Sequence, residues 1–292
     1  MSARARGVAL LLLTTLIWGT TFPAIKVATT ALSSPQLVAV RFTIALLVLG
    51  AFLARATART WLHGAITGAL ASVSYLALAQ GVTTTGSARA GFLIGLNVIL
   101  VPLAMPLLGR RLSRAGVAGA VLAASGLAAL AWDAATLHLS RGDCWVLLSA
   151  TTYAGYVLTM DRFVAQHDPR AFSATQIGCV LVIAVLWVAQ QGVPWPALHP
   201  AAGAPTRLGP IAGWPWVVLY LGLIATALTT WTQVMGQRVV SPVQAAIIYS
   251  LEPVFAAGFS ALLLHERLRS QDLLGGALIV AGMLVCMLPQ RD

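Results

Sequence analysis

Residues 86 to 98 read GSARAGFLIGLNV and residues 241 to 253 read SPVQAAIIYSLEP, and the second stretch lies over the first at a shift of 155. The overlay sets Leu96 on Leu251 and Asn97 on Glu252, and the same shift pairs Trp61 with Trp216 and Gly81 with Gly236. A shift of 156 sets Leu112 on Leu268, Gly119 on Gly275 and Gly126 on Gly282. Earlier in each half the shift is about 135, which sets Trp18 on Tyr153 and Arg41 on Gln176. The jump of 20 falls at QGVPWPALHPAAGAPTRLGP (191 to 210), a proline-rich insertion that reads as an extended loop. The chain is thus read as two copies of one unit, 1–136 and 137–292.

Composition says what solvent surrounds those copies. Hydrophobic residues make up 59% and charged residues 9% of the chain, against about 25% charged in a soluble domain. With a mean hydropathy of +0.86 and repeated apolar runs of about 20 residues, each able to cross a ~30 Å hydrocarbon core, this is a polytopic helical membrane protein. Breaking the sequence at charges, Gly/Pro clusters and Ser/Thr turns predicts ten spans: 7–31, 35–54, 62–81, 86–108, 114–132, 143–161, 171–190, 212–235, 241–264 and 270–289. The basic, apolar start resembles a secretory signal. Its apolar run continues to about Ala31 with no A-x-A cleavage site, so it reads as a retained first span.

Five spans per copy is an odd number, so the copies cross the lipid in opposite senses. The expected fold is all-α, with ten transmembrane helices in two inverted five-helix repeats and the substrate site near the midplane between them. With the N-terminus inside, eleven arginines fall on the cytoplasmic side (Arg4, Arg6, Arg55, Arg59, Arg110, Arg111, Arg114, Arg162, Arg170, Arg238 and Arg291) and five outside (Arg89, Arg141, Arg207, Arg267 and Arg269). The positive-inside rule then places both termini in the cytoplasm, in a cell inner membrane. The first half carries most of this asymmetry.

Against that background the polar residues inside the spans stand out. WGTTFPAIK (18 to 26) holds the sole lysine of the chain. Pro23 lacks an N–H, which leaves the Gly19 carbonyl without its usual helical partner. Thr20, Thr21 or cavity water must satisfy it in lipid. Gly19, Pro23 and Pro253 are therefore candidate hinges, and Trp18, Thr20 and Thr21 candidate binding residues. Lys26 and Arg41 lie about five and six residues from the outer ends of their spans, so each either snorkels to the interface or faces the pathway, where it would attract a carboxylate. Glu252 is ~16–18 Å from either surface, at a depth where a charge costs ~2.5–3.5 kcal/mol and usually faces a bundle interior or wet path. Its two readings are a proton carrier or ammonium partner, and a protonated acid bonded between helices. Asn97 is its counterpart in the first repeat. Tyr75, Gln80, Tyr153, Tyr156, Trp231, Gln233 and Tyr249 add aromatic and amide groups at comparable depth, suited to a small and mostly apolar solute.

Other features bear on packing. Trp61, Trp132, Trp145, Trp187, Trp195, Trp214 and Trp216 read as an interfacial belt. Gly119, Gly126, Gly275 and Gly282 read as close helix packing, within one chain or between two, leaving a monomer or a homodimer open.

Several classes lose support. The charge of +10 sits in short clusters between apolar runs, which fits membrane topology and not a nucleic-acid face. Cys144, Cys179 and Cys286 stand singly and read as buried inert thiols, with no metal or disulfide framework. No G-x-x-x-x-G-K-[ST], H-E-x-x-H or G-x-S-x-G motif occurs. Catalytic residues, cofactors and metals are accordingly not expected, and neither a lipid-modifying enzyme nor a passive channel is favoured.

Four stretches carry a resemblance: LIWGTTFPAIK (16 to 26), VAVRFTIALLVL (38 to 49), SARAGFLIGLNVILVPLAMPLLGRRLSRAGVAGAVLAASGLAAL (87 to 130) and YSLEPVFAAGFSALLLHERLRSQDLLGGALIVAGMLV (249 to 285). In them the chain resembles the drug/metabolite transporter superfamily, in its ten-helix EamA-type exporter branch. The resemblance implies alternating access, a central cavity lined by spans 1 to 4 and 6 to 9, spans 5 and 10 at the periphery, and export of small metabolites, often amino acids. The first repeat departs at GRRL (109 to 112), where relatives usually carry an acidic residue; the second reads HERL (265 to 268). The expected function is export of neutral or aromatic amino acids or similar metabolites, by facilitated diffusion or proton exchange. The alternative is efflux of cationic drugs or quaternary ammonium compounds, with Glu252 and the aromatic rings as a cation–π cage.

Overall fold

A computed structural model describes residues 1–85, 87–130, 139–192, 195, 214–264 and 270–288. The 136/137 division, most of the proline-rich segment and residues 265 to 268 lie outside them. No strand occurs among the described residues. The first repeat comprises α1 (Ala3–Trp18), α2 (Thr21–Ala28), α3 (Ser34–Leu49) with a 3₁₀ tail (Gly50–Arg55), α4 (Ala58–Val82), α5 (Ser87–Gly95), α6 (Asn97–Ala104) and α7 (Arg114–Leu130). The second comprises α8 (Arg141–Phe163), α9 (Pro169–Gln191), α10 (Trp214–Gly222), a π turn (Leu223–Leu228), α11 (Thr229–Gln237), α12 (Pro242–Tyr249), α13 (Glu252–Leu264) and α14 (Ser270–Met287).

Local chemistry fixes many of these boundaries. Ser33 with Gln36 and Ser140 with Asp143 form reciprocal capping boxes at the starts of α3 and α8. Thr57, Asp168 and Ser241 cap α4, α9 and α12 with single side-chain acceptors. Five uninterrupted helical stretches are long and apolar enough to cross a membrane, and α1 with α2 makes a sixth span bent by 40°. The other four are broken (α5/α6 and α12/α13), short (α7) or rich in hydroxyl and aromatic residues (α8).

Each break has a cause in the sequence. The first span breaks at Gly19 and Thr20, and the hydroxyls of Thr20 and Thr21 donate to the carbonyls of Ile17 and Trp18 at 2.7 and 2.8 Å. Pro23 then sits in the first turn of α2 and Pro253 in that of α13, where no intrahelical N–H is needed. The breaks in the fourth and ninth spans fall at Leu96 and Leu251, the repeat-related pair. Span 6, the copy of span 1, is an unbroken helix through Tyr153.

The repeats interlock. A Cβ on Gly7 of α1 would lie 3.1 Å from the Gly236 carbonyl oxygen of α11, and one on Gly142 of α8 would lie 2.9 Å from that of Gly81 in α4. The first helix of each copy thus packs on the third span of the other. The fifth spans pack on each other: Cβ atoms on Gly126 and Gly282 would meet the carbonyl oxygens of Gly275 and Gly119 at 2.5 and 2.6 Å. The glycine stripes therefore serve contact within one chain, allowing backbone approach no larger residue permits. Only 28% of the α14 span is buried, against 61% of the span from Trp214 to Gln237, so α14 is peripheral.

Candidate functional site

A cavity of ≈ 40 Å³, large enough to hold water, opens between the copies. Its wall contains repeat-related pairs: Trp18 with Tyr153, Ile94 with Tyr249, and Asn97 with Glu252. The pseudo-twofold therefore passes through it. Ile25, Arg41 and Leu78 extend the wall toward the α2–α3 turn.

The floor is aromatic. The Trp18 ring lies 5.4 Å from Tyr249 and 5.9 Å from Tyr153, and the two tyrosines are 6.0 Å apart, within the range of favourable ring pairing. Beneath it a polar chain closes the other half of the bundle: Gln233 Nε2 donates to the Tyr153 hydroxyl (2.8 Å), the Tyr156 hydroxyl donates to Gln233 Oε1 (3.3 Å), and Gln237 Nε2 donates to the Val157 carbonyl (3.4 Å). Tyr156 thus belongs to the layer behind the cavity, one helical turn from Tyr153.

The walls carry charge and unmet hydrogen-bonding groups. Arg41 is buried, with its guanidinium 5.2 Å from the Tyr75 ring centroid. It forms no ion pair with a carboxylate among the described residues. Glu252 opens α13, at the end where the helix dipole favours negative charge. The Oδ1 of Asn97 and the hydroxyl of Tyr249 are buried without a hydrogen bond, although the Gln233 amide lies close to the latter. Buried polar groups are normally satisfied, so these two mark places where a solute or water belongs.

Of the expected binding residues, Trp18, Thr21, Arg41, Tyr75, Asn97, Tyr153, Tyr249 and Glu252 meet at this cavity. Lys26, Thr20, Gln80, Trp231 and Tyr156 do not. Thr21 and Ile25 share the cavity face of α2, and Lys26, about 100° further round, is exposed. Thr20 in the break bonds the Tyr220 hydroxyl instead. Gln80 lies about 200° beyond Leu78 on α4, and Trp231 belongs to α11, which contributes nothing to the wall. Spans 7 and 8, implied as lining, likewise supply no wall residue among those described. Cys144, expected buried, is exposed.

Ile25, Ser74, Leu78 and Ile94 were missed. Ile94 was legible as the counterpart of Tyr249, whereas the Ser74 hydroxyl is engaged with Ser149 across the α4–α8 contact, a pairing the sequence does not signal. Another missed pair is His63 and His167, whose rings hydrogen-bond at 2.8 Å beside Thr60, far along α4 from the cavity.

Comparison with known proteins fits this architecture. The EamA-like transporter family matches residues 5–132 and 140–288, so the chain belongs to that family. It is 25% identical over 281 residues to an uncharacterized transporter of Archaeoglobus fulgidus, covering 95% of this chain and 84% of that one. A crystal structure superposes with a TM-score of 0.74 at 22% identity, covering 97% of this chain and 96% of its own, and so shares the fold. The protein is a multi-pass membrane transporter.

Proposed function

We propose that this transporter exports zwitterionic solutes, neutral or aromatic amino acids foremost, by alternating access across the inner membrane with both termini in the cytoplasm. The observation that carries the reading is a cavity lined by a cation, Arg41, and an acid, Glu252, with four aromatic rings, Trp18, Tyr75, Tyr153 and Tyr249, in the same wall. A carboxylate on Arg41 and an ammonium on Glu252 would neutralise both, and the Trp18, Tyr153 and Tyr249 rings suit an apolar side chain. In this orientation the cavity lies in the outer half of the bundle, and the Gln233 and Tyr156 layer closes the cytoplasmic side. The breaks at Gly19 and Leu251 provide joints at which the helices can part for loading and release. No enzymatic step is part of this reading.

Cationic drug efflux is favoured by Glu252, which has no hydrogen bond or ion pair among the described residues and lies beside aromatic rings, an arrangement that fits a cation–π cage. Arg41 in the same wall opposes it, since a monovalent cation would bring a second positive charge into the cavity. Counterflow of radiolabelled amino acids in proteoliposomes, with and without a pH gradient, tests the proposal. Exchange of phenylalanine or leucine is expected; exchange of a quaternary ammonium compound alone would overturn it.

A further inference from the structure

The second repeat contains a device the first lacks. A Cβ on Gly68 of α4 would lie 3.0 Å from the Gln176 carbonyl oxygen and one on Gly222 of α10 would lie 3.0 Å from that of Arg41, a correspondence of 154 residues. Further along, Gly81 of α4 and Gly236 of α11 correspond at 155. The residue gained in between is what the π turn Leu223–Leu228 absorbs, while α4 runs on without interruption. Such turns are rare and frequently lie at functional sites.

Arg41 is fastened to that turn. Its Nε donates to Thr226 Oγ1 at 2.8 Å and its Nη2 to the Ala225 carbonyl at 3.1 Å. The Thr226 hydroxyl donates to the Leu221 carbonyl at 2.7 Å, so its proton is committed and only its lone pairs face Arg41. The Nε and Nη2 edge of the guanidinium is thereby occupied, and Tyr75 covers one face. What remains of the planar fork is the end edge formed by Nη1 and the second Nη2 hydrogen, the edge a carboxylate binds with two parallel hydrogen bonds. The repeat counterpart of Arg41, Gln176, turns its amide back to the Phe172 carbonyl and does not reach the cavity.

We propose that Thr226, seated in the π turn, is a positioning residue that sets the preference of this transporter for solutes with a free carboxylate, by clamping one edge of Arg41 so that the other faces the cavity. This rests on the carboxylate-at-Arg41 reading above. A bland role, in which Arg41 only satisfies the widened backbone, predicts loss of stability without a change in ligand choice.

Ligand-induced thermal shifts of the purified full-length protein separate the two, with phenylalanine and phenylalaninamide as probes. Wild type is expected to bind phenylalanine about tenfold more tightly than the amide. Thr226→Val is expected to bring the two within about twofold, with affinity for the amide unchanged, and Thr226→Ser to restore the preference. Thr226→Ala serves as the second variant if valine does not fold. A Thr226→Val or Thr226→Ala protein that retains the wild-type ratio, or loses both ligands equally, overturns the inference alone. Wild type that binds phenylalanine no better than the amide, or binds neither, overturns the carboxylate reading and this inference with it.

Discussion

Asn97 and Glu252, 155 residues apart, are the first residues of two half-helices that begin at the same depth in the two repeats, and both face one cavity. A neutral amide in one copy and a carboxyl group in the other make the site polar on both sides but charged on one. Glu252→Gln keeps the shape and removes the charge. It is expected to raise the KM for amino-acid counterflow at least about tenfold, the loss of one charge-assisted bond, without lowering the melting temperature. Unchanged counterflow would assign Glu252 to packing.

The Tyr249 hydroxyl is buried without a partner in good geometry. Removing a group already unsatisfied costs the fold nothing. Tyr249→Phe should melt at or above the wild-type temperature and bind phenylalanine several-fold more weakly, as read by calorimetry. Lower stability with unaltered affinity would show a structural hydroxyl.

Gly126 and Gly282 admit no side chain, because the facing carbonyls stand 2.5 and 2.6 Å from where a Cβ would be. Gly126→Val should cost at least about 1–3 kcal/mol, seen as a lower midpoint in detergent melts. Gly178→Ala, where nothing lies within 4 Å, is the control and should be neutral or slightly stabilising.

Asp143 is buried, paired with Arg89 at 2.9 Å, bonded by Thr85 and part of the Ser140 capping box. It ties the α4–α5 connection to the start of α8. Asp143→Asn removes a buried charge from this cluster and should cost about 3 kcal/mol, whereas removing both charges should cost less than the sum of the single changes. A double-mutant cycle on melting free energies checks this.

His167, in the connection between α8 and α9, has its pKa lowered by burial first and then by His63 and Arg59. Below the ordinary histidine value of about 6.5 the unfolded chain takes up a proton that the folded chain resists, so stability falls as pH drops through that range and is fully present above it. Melting from pH 7.5 to 5.5 should show this decline, and His167→Gln should flatten it. An equal decline in the variant would place the titration elsewhere.

Much of the fold was legible because duplication and lipid both write in the sequence. The shift of 155 paired Leu96 with Leu251 and Asn97 with Glu252 without placing a break at either leucine; of the two breaks, only the neighbouring Pro253 gave a sign in the sequence. Depth along a span identified Arg41 and Glu252, since charge in hydrocarbon is costly wherever it faces. Facing itself was not legible: Lys26 and Thr21 differ by five residues on one short helix, and only the packing of α2 decides that Thr21 reaches the cavity. The π turn escaped as well. No residue pattern in LIATAL announces it, because the widened turn is stabilised by Arg41 from 185 positions away.

The reciprocal glycine contacts carry a consequence for biosynthesis. Since α1 needs α11, α8 needs α4 and α7 needs α14, neither five-helix half has within itself the surfaces its closest contacts require. Two polypeptides produced separately from a split gene should therefore find one another in the bilayer and regain transport, while either expressed alone should be cleared by membrane proteases.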